Sequence, residues 1–384
     1  MTNEQDATAA QPRARRREPH ALRPRTVLVA SAIFLALHAA VWLVAAHTEP
    51  SRYPWPRDVR SMFEYWDAWH YDLIIERGYF GHEWAFYPLY PLAVGAVARA
   101  TGLASRPEIA GAIFSTLCFV AFCAAQSRLA PSDDAGLKAI KPAGVWGWLF
   151  FLLWPGSWVF HSHHTEALFL LLSFAALFAS RTGRWKSAAV FAGLSALTRN
   201  QGVFVAVAVA LDGALLQRDL RRRALVFSAS GSISLLLFAL YPAYQFWQTG
   251  DPLKSTHELA FWGSVSTARG YVATFWFANP GQAWNGEHYL HHFFFFVLNA
   301  AAVVLLLRRE FALALYALLS LWSLPYMGQL LNTYRYGAVL FPALFLLGDL
   351  TARLPLPTRL LLFGCLLYLN YLCTRSYALG AWAY

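Results

Sequence analysis

The chain has 384 residues, of which 58% are apolar and only 14% are charged. An ordinary soluble domain carries about 25% charged residues, so this composition excludes a soluble domain and indicates a protein of the lipid bilayer. Lysine and arginine outnumber aspartate and glutamate by 31 to 21. The basic residues cluster at the ends of apolar runs, which indicates membrane topology and contact with anionic lipids rather than a nucleic-acid partner.

The N-terminal segment is polar and rich in arginine, and it predicts a disordered basic tail, 1–25, on the cytoplasmic face. The apolar run 27–46 is too long for the core of a signal peptide and lacks a clear cleavage site, so it predicts an uncleaved first span. No separate soluble domain is visible, and residues 26–384 are expected to form a single multispan domain.

Apolar runs recur along the chain and predict an all-α polytopic membrane protein with about ten to twelve transmembrane helices. The runs lie near 27–46, 85–100, 108–128, 143–160, 165–180, 187–216, 224–247, 291–307, 311–330, 336–350 and 358–375. The positive-inside rule places the tail, Arg218 to Arg223 and Arg308-Arg309 in the cytoplasm. The loops 48–84 and 249–290 are then expected outside.

The run 187–216 leaves the topology open, because Arg199-Asn200-Gln201-Gly202 interrupts it. The flanks are each roughly 13 residues long, shorter than the ~20 that a helix needs to cross a bilayer. Either one long helix buries these polar groups, or two short helices meet at a water-filled vestibule. The second arrangement requires the proline-rich run 85–100 to be re-entrant or interfacial.

The first outer loop carries acids beside aromatic residues. Asp67 opens a predicted interfacial helix, 67–77, with Trp69, Leu73 and Ile74 as its apolar face. Asp67 is either an N-cap and first-turn charge of this helix, or a general base or charge-stabilising anion in an outward-facing pocket, and the two roles are compatible. Two further acids on this helix, Asp72 and Glu76, are expected to be solvated. Glu83, at the membrane edge, is either a second acid of the pocket or a hydrated interfacial charge.

The segment His161-Ser162-His163-His164-Thr165-Glu166 is the densest ionisable cluster at a span boundary. His164 and Glu166 are expected to line a polar pocket for a phosphate or sugar hydroxyls, because a glutamate that opens an apolar run needs a partner. His163 and Glu166 also have a spacing that suits a metal, although no HExxH motif is present and hydrated histidines are the alternative.

Two arginines near span ends are candidates for binding an anion. Arg199 in an apolar run costs about 2.5–3.5 kcal/mol on insertion scales, so it needs a carboxylate, a phosphate or water. Its alternative role is a structural ion pair with Glu166. Asn200 beside it suits sugar hydroxyls. Arg335, next to Tyr334, is the second candidate, with snorkelling to the interface as its alternative.

These residues together resemble the PIG-V family (GPI mannosyltransferase 2) of the GT-C class of multispan glycosyltransferases. The matching pieces occur in order over about residues 60–345 and are Trp66-Asp67-Ala68, Gly78-Tyr79, Ala85-Phe86-Tyr87-Pro88-Leu89-Tyr90-Pro91, Thr165-Glu166-Ala167-Leu168-Phe169, Thr198-Arg199-Asn200-Gln201-Gly202 and Arg335-Tyr336. The resemblance implies a GT-C-like bundle with interfacial helices in the outer first loop. A GT-C Asp-x-Asp or Glu-Asp pair is absent from this loop, which reads Tyr65-Trp66-Asp67-Ala68-Trp69.

The resemblance implies an inverting enzyme that takes mannose or another hexose from a polyprenyl-phosphate donor, outside the cytoplasm. Asp67 would be the catalytic acid-base residue. The substrate-binding residues would be Trp66, Glu83, His164, Glu166, Arg199, Asn200, Tyr334 and Arg335. A lipid-phosphate donor needs no nucleotide–metal chelate, so no metal is required, although a divalent metal stays open. The compact chain, rich in alanine and arginine, suggests a bacterial plasma membrane and a glycolipid, glycan or protein acceptor.

Two other classes of protein are alternatives. A transporter or flippase of lipid or lipid-linked sugar would also keep Arg199 and a polar cavity, but it should show paired broken helices in its two halves. The sequence shows one convincing break, at 199–202. A non-catalytic subunit of a glycan-assembly complex would carry a degenerate site, against which the intact Asp67 argues.

Overall fold

The computed structural model describes residues 22–48, 63–262, 267–273, 286–327, 330–381 and 383. Over these residues the secondary structure is helical and contains no β-strand. Several of the helices are long and apolar enough to cross a bilayer. The predicted all-α polytopic membrane fold is therefore confirmed. Most of the predicted tail lies outside the described residues, and so does part of the loop 249–290.

The described part of the chain contains sixteen α-helices. In chain order they are α1 (Pro24–Thr48), α2 (Asp67–Arg77), α3 (Leu89–Ala100), α4 (Pro107–Leu129), α5 (Val145–Leu152), α6 (Glu166–Arg181), α7 (Trp185–Ala196), α8 (Gln201–Leu215), α9 (Leu220–Thr249), α10 (Lys254–Glu258), α11 (Ala268–Ala273), α12 (Gly286–Leu307), α13 (Phe311–Trp322), α14 (Thr333–Ala338), α15 (Phe341–Thr351) and α16 (Leu356–Ala378). Short 3-10 helices at Gly81–Ala85, Ala135–Ile140, Pro155–His161, Leu259–Trp262 and Leu324–Met327 join some of them.

Full-length spans are fewer among the described residues than the apolar runs predict. Five helices are long and apolar enough to cross a membrane, namely α1, α4, α9, α12 and α16. The 3-10 helix Pro155–His161 together with α6 makes a sixth candidate, which is bent by 94°. The runs 143–160, 187–216, 311–330 and 336–350 each divide into shorter pieces. A hydropathy average cannot see such a break, because the residues on both sides of it are apolar.

The break predicted at 199–202 is present, and two short helices meet there. α7 ends at Ala196 and α8 begins at Gln201. Gly202 permits the tight reversal, since a Cβ atom at this position would lie 2.2 Å from the backbone of Ser195 and Ala196. α3, which follows Pro88 and contains Pro91 in its first turn, has only 12 residues and is also too short to span.

The clustered arginines lie at the end of the bundle opposite to α2. α9 has Arg221 to Arg223 in its first turn, and its other end packs against α10. α12 runs the opposite way, from His291, which stacks on Tyr334, to Arg308-Arg309. We call the arginine-rich end the basic end.

An ion-pair network holds the helices together at the basic end. Arg181 pairs with Asp212 at 3.0 Å and with Glu310 at 2.7 Å, and it also donates to the carbonyl of Gly136. These partners come from α8, from the residue that precedes α13 and from the 3-10 helix Ala135–Ile140. The network fixes the ends of α6 and α8 that lie at the basic end. The opposite ends of these helices carry Glu166 and the 199–202 break.

Candidate active site

A cavity of about 270 Å³ opens at the end of the bundle where α2 lies. Its walls come from α2, from the residues beside the breaks before α6 and α8, from α14 and from the segment 251–262. The polar and charged lining residues include Asp67, His70, Thr165, Arg199, Asn200, Asn332 and Arg335, and the aromatic ones are Trp66, Tyr71, Phe86, Tyr87, Trp262 and Tyr336. Aromatic walls around a few charged groups suit a polar ligand that also has apolar faces.

Four charged side chains alternate in sign along one side of this cavity. Arg335 donates from Nη1 to Asp67 Oδ2 at 2.5 Å, and from Nε to Glu166 Oε1. The same Glu166 oxygen accepts a hydrogen bond from Arg199 Nη1. Glu166 is fully buried, and both arginines are about 7% exposed. The two carboxylates and the two guanidinium groups therefore balance one another.

Asp67 reaches the cavity because α2 begins there. The residue before it, Trp66, has φ 61°, a conformation that L side chains rarely adopt, and its indole donates to the carbonyl of Ala381 at 3.3 Å. Trp66 occupies the N-cap position, and Asp67 is the first residue of the helix. Asp67 is therefore not the N-cap residue, but it is the expected acidic residue of the first turn, and its carboxylate is bound by Arg335.

The pKa of Asp67 reflects two opposing effects. Burial raises the pKa of this carboxyl group, but the charge of Arg335, with the charge of His164 and the hydrogen bond from Arg335, outweighs burial. The pKa of Asp67 therefore lies below its usual value of 3.8. At neutral pH the side chain is an anion that faces the cavity.

One side of α2 packs against other helices. Ala68, Tyr71 and Ile74 are buried, whereas Trp69, from the predicted membrane-facing apolar face, is 44% exposed. The helix packs its Tyr71 side against α3 and α4, and the Tyr71 ring meets Tyr90 edge-on at 5.0 Å. Burial of the Tyr71 side determines the orientation of the helix.

Asp72 is not solvated as predicted, although Glu76 is exposed as expected. Asp72 Oδ1 accepts a hydrogen bond from His163 Nε2 at 3.1 Å, and His163 Nδ1 lies 2.9 Å from the hydroxyl of Tyr90. His163 is fully buried. This chain of contacts joins α2 to the segment before α6, so it helps to hold Asp67 and Glu166 in register.

The metal alternative for His163 and Glu166 gains no support from this geometry. His163 is bound to Asp72 and Tyr90, and Glu166 is bound to two arginines. Over the described residues no group of three or more His, Cys, Asp or Glu side chains is arranged to hold a metal ion. That the reaction needs no metal stays a prediction.

Glu83 contributes to the site through another residue. It is 6% exposed, and its Oε1 accepts a hydrogen bond from His70 Nδ1 at 3.3 Å. The residue that lines the cavity here is thus His70, which was not predicted from the sequence. Its position three residues after Asp67 on a predicted helix places both side chains on one face, and this spacing could have identified it.

His164 and Tyr334 lie behind the cavity and are not among the described residues that line it. His164 Nδ1 is 2.9 Å from the hydroxyl of Ser162. Tyr334 stacks on His291, with ring centres 3.9 Å apart. Asn200 and Trp66 do line the cavity, as predicted.

Arg335 does not snorkel to the interface, because it is buried and bonded to two carboxylates. Arg199 forms the expected ion pair with Glu166, and it also faces the cavity, with the ring of Tyr336 5.0 Å from its guanidinium carbon. The structural and the functional interpretations of Arg199 are thus compatible.

The segment 251–262 covers the cavity and contributes Ser255, Thr256, Leu259 and Trp262 to its lining. Glu258 holds this segment in place, because it accepts from His82 at 2.6 Å and pairs with Lys254 at 2.6 Å. No site residue was predicted in this segment from the sequence. The segment is too short and too mixed in polarity to show a helical period.

Fold and site together define an integral membrane protein with an acid–arginine cavity at one end of its bundle. Comparison with known proteins narrows this class. Residues 54–214 match the family described as mannosyltransferase (PIG-V). Human GPI alpha-1,6-mannosyltransferase 2 is 32% identical over 144 residues, which are 35% of this chain and 29% of the human protein. No solved structure matches the chain at a significant level.

The resemblance to the PIG-V family is thereby confirmed over residues 54–214. The matched segment contains Asp67, Glu166 and Arg199 and ends before Arg335. The chain matches less than a third of the length of the human relative.

Proposed function

We propose that this protein is an inverting glycosyltransferase. It moves a hexose, with mannose as the expected sugar, from a polyprenyl-phosphate donor to a glycolipid, glycan or protein acceptor. The observation that carries the proposal is the contact between Asp67 and Arg335 in a cavity built largely from the PIG-V-like segment. The names of the family and of the human relative both refer to mannose transfer.

The chemistry of inversion fits the residues of the cavity. An acceptor hydroxyl oxygen attacks the anomeric carbon, and the bond between that carbon and the phosphate oxygen breaks. Asp67 accepts a hydrogen bond from the acceptor hydroxyl and orients it for attack, and the departing phosphate needs cationic stabilisation. Arg335 and Arg199 line the same cavity and supply that charge. A guanidinium has five N–H donors and can bind a carboxylate and a phosphate together.

The depth of the cavity favours a donor held in the membrane. α7 has 12 residues and so rises about 18 Å from the basic end to the break that carries Arg199. With the start of α7 at one surface of a hydrocarbon core about 30 Å thick, the cavity floor would lie below the opposite surface. The phosphate of a lipid-linked sugar can reach this depth while its chain stays in lipid.

The charge distribution favours transfer on the non-cytoplasmic side. The arginine clusters of the basic end are expected in the cytoplasm, and the cavity lies at the opposite end of α9. With a bacterial plasma membrane as the expected location, the active site then faces outward.

Transport of a lipid-linked sugar is a second candidate, because one observation favours it. The breaks at 197–200 and at 330–332 lie in different halves of the chain, and an arginine beside each faces the cavity. Paired breaks of this kind are typical of transporters. A transporter does not need the carboxylate of Asp67 for bond cleavage, and this difference can be tested.

The experiment measures transfer from radiolabelled polyprenyl-phosphate mannose into the lipid, glycan and protein fractions of membranes. Wild type is compared with Asp67→Asn and with the control Asp219→Asn. Asp219 caps α9 at the basic end, and asparagine caps a helix equally well. Label with the wild type and the control only would support the transferase. Equal label in all three, or none with folded protein, would contradict it and favour a transport assay.

A further inference from the structure

The cavity contains a titratable side chain, His70, that the mechanism above does not use. Asp67, His70 and Tyr71 occupy positions i, i+3 and i+4 of α2 and therefore share one face. All three line the cavity, and the His70 side chain is 18% exposed. His70 is thus accessible to a ligand beside Asp67.

The ring of His70 is held in one orientation. Its Nδ1 donates to Glu83 Oε1 at 3.3 Å, and the ring stacks on Phe86, with centres 4.8 Å apart. Trp262 meets it edge-on at 4.9 Å. A carboxylate that accepts from Nδ1 selects the tautomer with an unprotonated Nε2 and stabilises the imidazolium that forms when Nε2 takes a proton.

Asp67, by contrast, is poorly suited to be the final proton acceptor. Its carboxylate is already bonded to Arg335 at 2.5 Å, and its pKa lies below the usual value because the charge of Arg335 outweighs burial. Proton transfer to a base is most efficient when the base titrates near the working pH. A carboxylate paired with an arginine fits the task of orienting a hydroxyl better.

We propose that His70 receives the proton of the acceptor hydroxyl, an inference that rests on the proposed transferase function. Asp67 accepts a hydrogen bond from that hydroxyl and orients it. As the oxygen bonds to the anomeric carbon, the bond from that carbon to the phosphate oxygen breaks and leaves its electron pair on the phosphate. The hydroxyl proton passes to Nε2 of His70, and Glu83 stabilises the resulting cation. The acceptor is therefore an alcohol, such as a sugar or polyol hydroxyl.

The surroundings of His70 agree with an alcohol at this position. Asp67 from its own helix and Glu83 from the 3-10 helix Gly81–Ala85 face it, and Arg199 and Arg335 lie across the same cavity. The segment 251–262 contributes Trp262, whose buried indole N–H has no hydrogen-bond partner among the described residues. This donor can bind a neighbouring oxygen of the acceptor.

The test compares His70→Ala with wild type in the mannose-transfer assay over a range of pH. The variant is expected to lose about 10²- to 10⁴-fold in kcat, with a small change in KM, because it lacks the proton acceptor. Added imidazole should restore part of the rate. The control is His47→Ala, since His47 is exposed near the end of α1 and does not line the cavity.

Glu83→Gln separates proton transfer from a merely structural role. It keeps the size of the side chain and removes the charge that stabilises protonated His70. The fall of kcat on the acid side should therefore move to lower pH. If His70→Ala melts early in detergent, His70→Gln replaces it, because the glutamine amide can still donate a hydrogen bond to Glu83. Loss of the decrease in kcat at low pH in that variant would support the proposal.

Three outcomes would overturn the inference. One is wild-type kcat and pH dependence in His70→Ala, and another is a folded but inactive variant that imidazole does not restore. Each of these would leave the transferase function standing if Asp67→Asn is inactive. The third is no transfer by the wild type from this donor, which would remove the proposed function and this inference with it.

Discussion

Glu166 and Arg335 are 169 residues apart in the chain, yet their side chains are hydrogen-bonded in the interior. The contact joins the first residue of α6 to a short helix near the other end of the sequence. Arg199 shares the same carboxylate oxygen. One fully buried anion thus holds two arginines that line the cavity.

Replacing this anion should damage the fold. Glu166→Gln leaves two buried guanidinium groups facing each other without the shared carboxylate, and breaking a buried pair in this way costs about 3–5 kcal/mol. We expect a clearly lower melting temperature in detergent. Glu76→Gln on exposed α2 surface is the control and should melt like wild type. Equal melting of the two variants would show that the network contributes little.

The close contact between Gly111 and His163 gives a second prediction. A Cβ atom at position 111 would lie 1.7 Å from Nδ1 of His163, which cannot move because Asp72 and Tyr90 hold it. Gly111→Ala should therefore destabilise the protein by about 1–3 kcal/mol through overpacking. Gly231→Ala, where nothing lies within 4 Å, should be neutral or stabilising by up to about 1 kcal/mol. Thermal melting of both variants tests the difference, and the prediction fails if Gly111→Ala melts no earlier.

The ion pair of Asp67 predicts how stability depends on pH. Since the pKa of Asp67 is lowered in the folded protein, the pair contributes fully above the usual pKa of 3.8. The contribution is then lost as pH falls through the lower, folded-state pKa. The melting temperature of the wild type should thus exceed that of Asp67→Asn near neutral pH, and the gap should close below about pH 4. A gap that is constant from pH 7 to pH 3 would contradict this.

The segment 251–262 should affect substrate binding more than the chemical step. Glu258→Ala removes the partner of both His82 and Lys254, so the cover over the cavity becomes less well held. We expect KM to rise about threefold to tenfold with little change in kcat, since exposed ion pairs contribute up to about 1 kcal/mol each. Limited proteolysis between 251 and 262 should speed up in parallel. A fall in kcat with KM unchanged would assign Glu258 another role.

Much of the site could be predicted from the sequence because charged groups in apolar runs are costly. That cost singled out Glu166, Arg199 and Arg335, and the structure brings all three together with Asp67. The bounds of α2 and the break near residue 199 also agree with the sequence pattern. Each of these depends on local chemistry that can be read without knowing the fold.

The other features of the site could not be predicted, because they depend on tertiary contacts that no local sequence pattern encodes. In a lipid environment both faces of a helix are apolar, so periodicity does not show which face meets a neighbour. For this reason the sequence pattern did not identify Tyr71 as the side of α2 that packs against other helices. His163 and Asp72 are 91 residues apart, and only the tertiary fold brings them together. His70 could be recognised as a candidate proton acceptor only from its contact with Glu83.

The shared carboxylate of Glu166 also limits which fragments and which substitutions can keep the charges of the site balanced. A fragment ending at residue 214 would retain Asp67, Glu166 and Arg199 but lose Arg335, which leaves two acids against one guanidinium. Such a fragment has an uncompensated negative charge in the cavity where a phosphate is proposed to bind. A substitution at position 335 is therefore expected to be tolerated only with a matching change at Asp67 or Glu166, although these positions lie far apart in the chain.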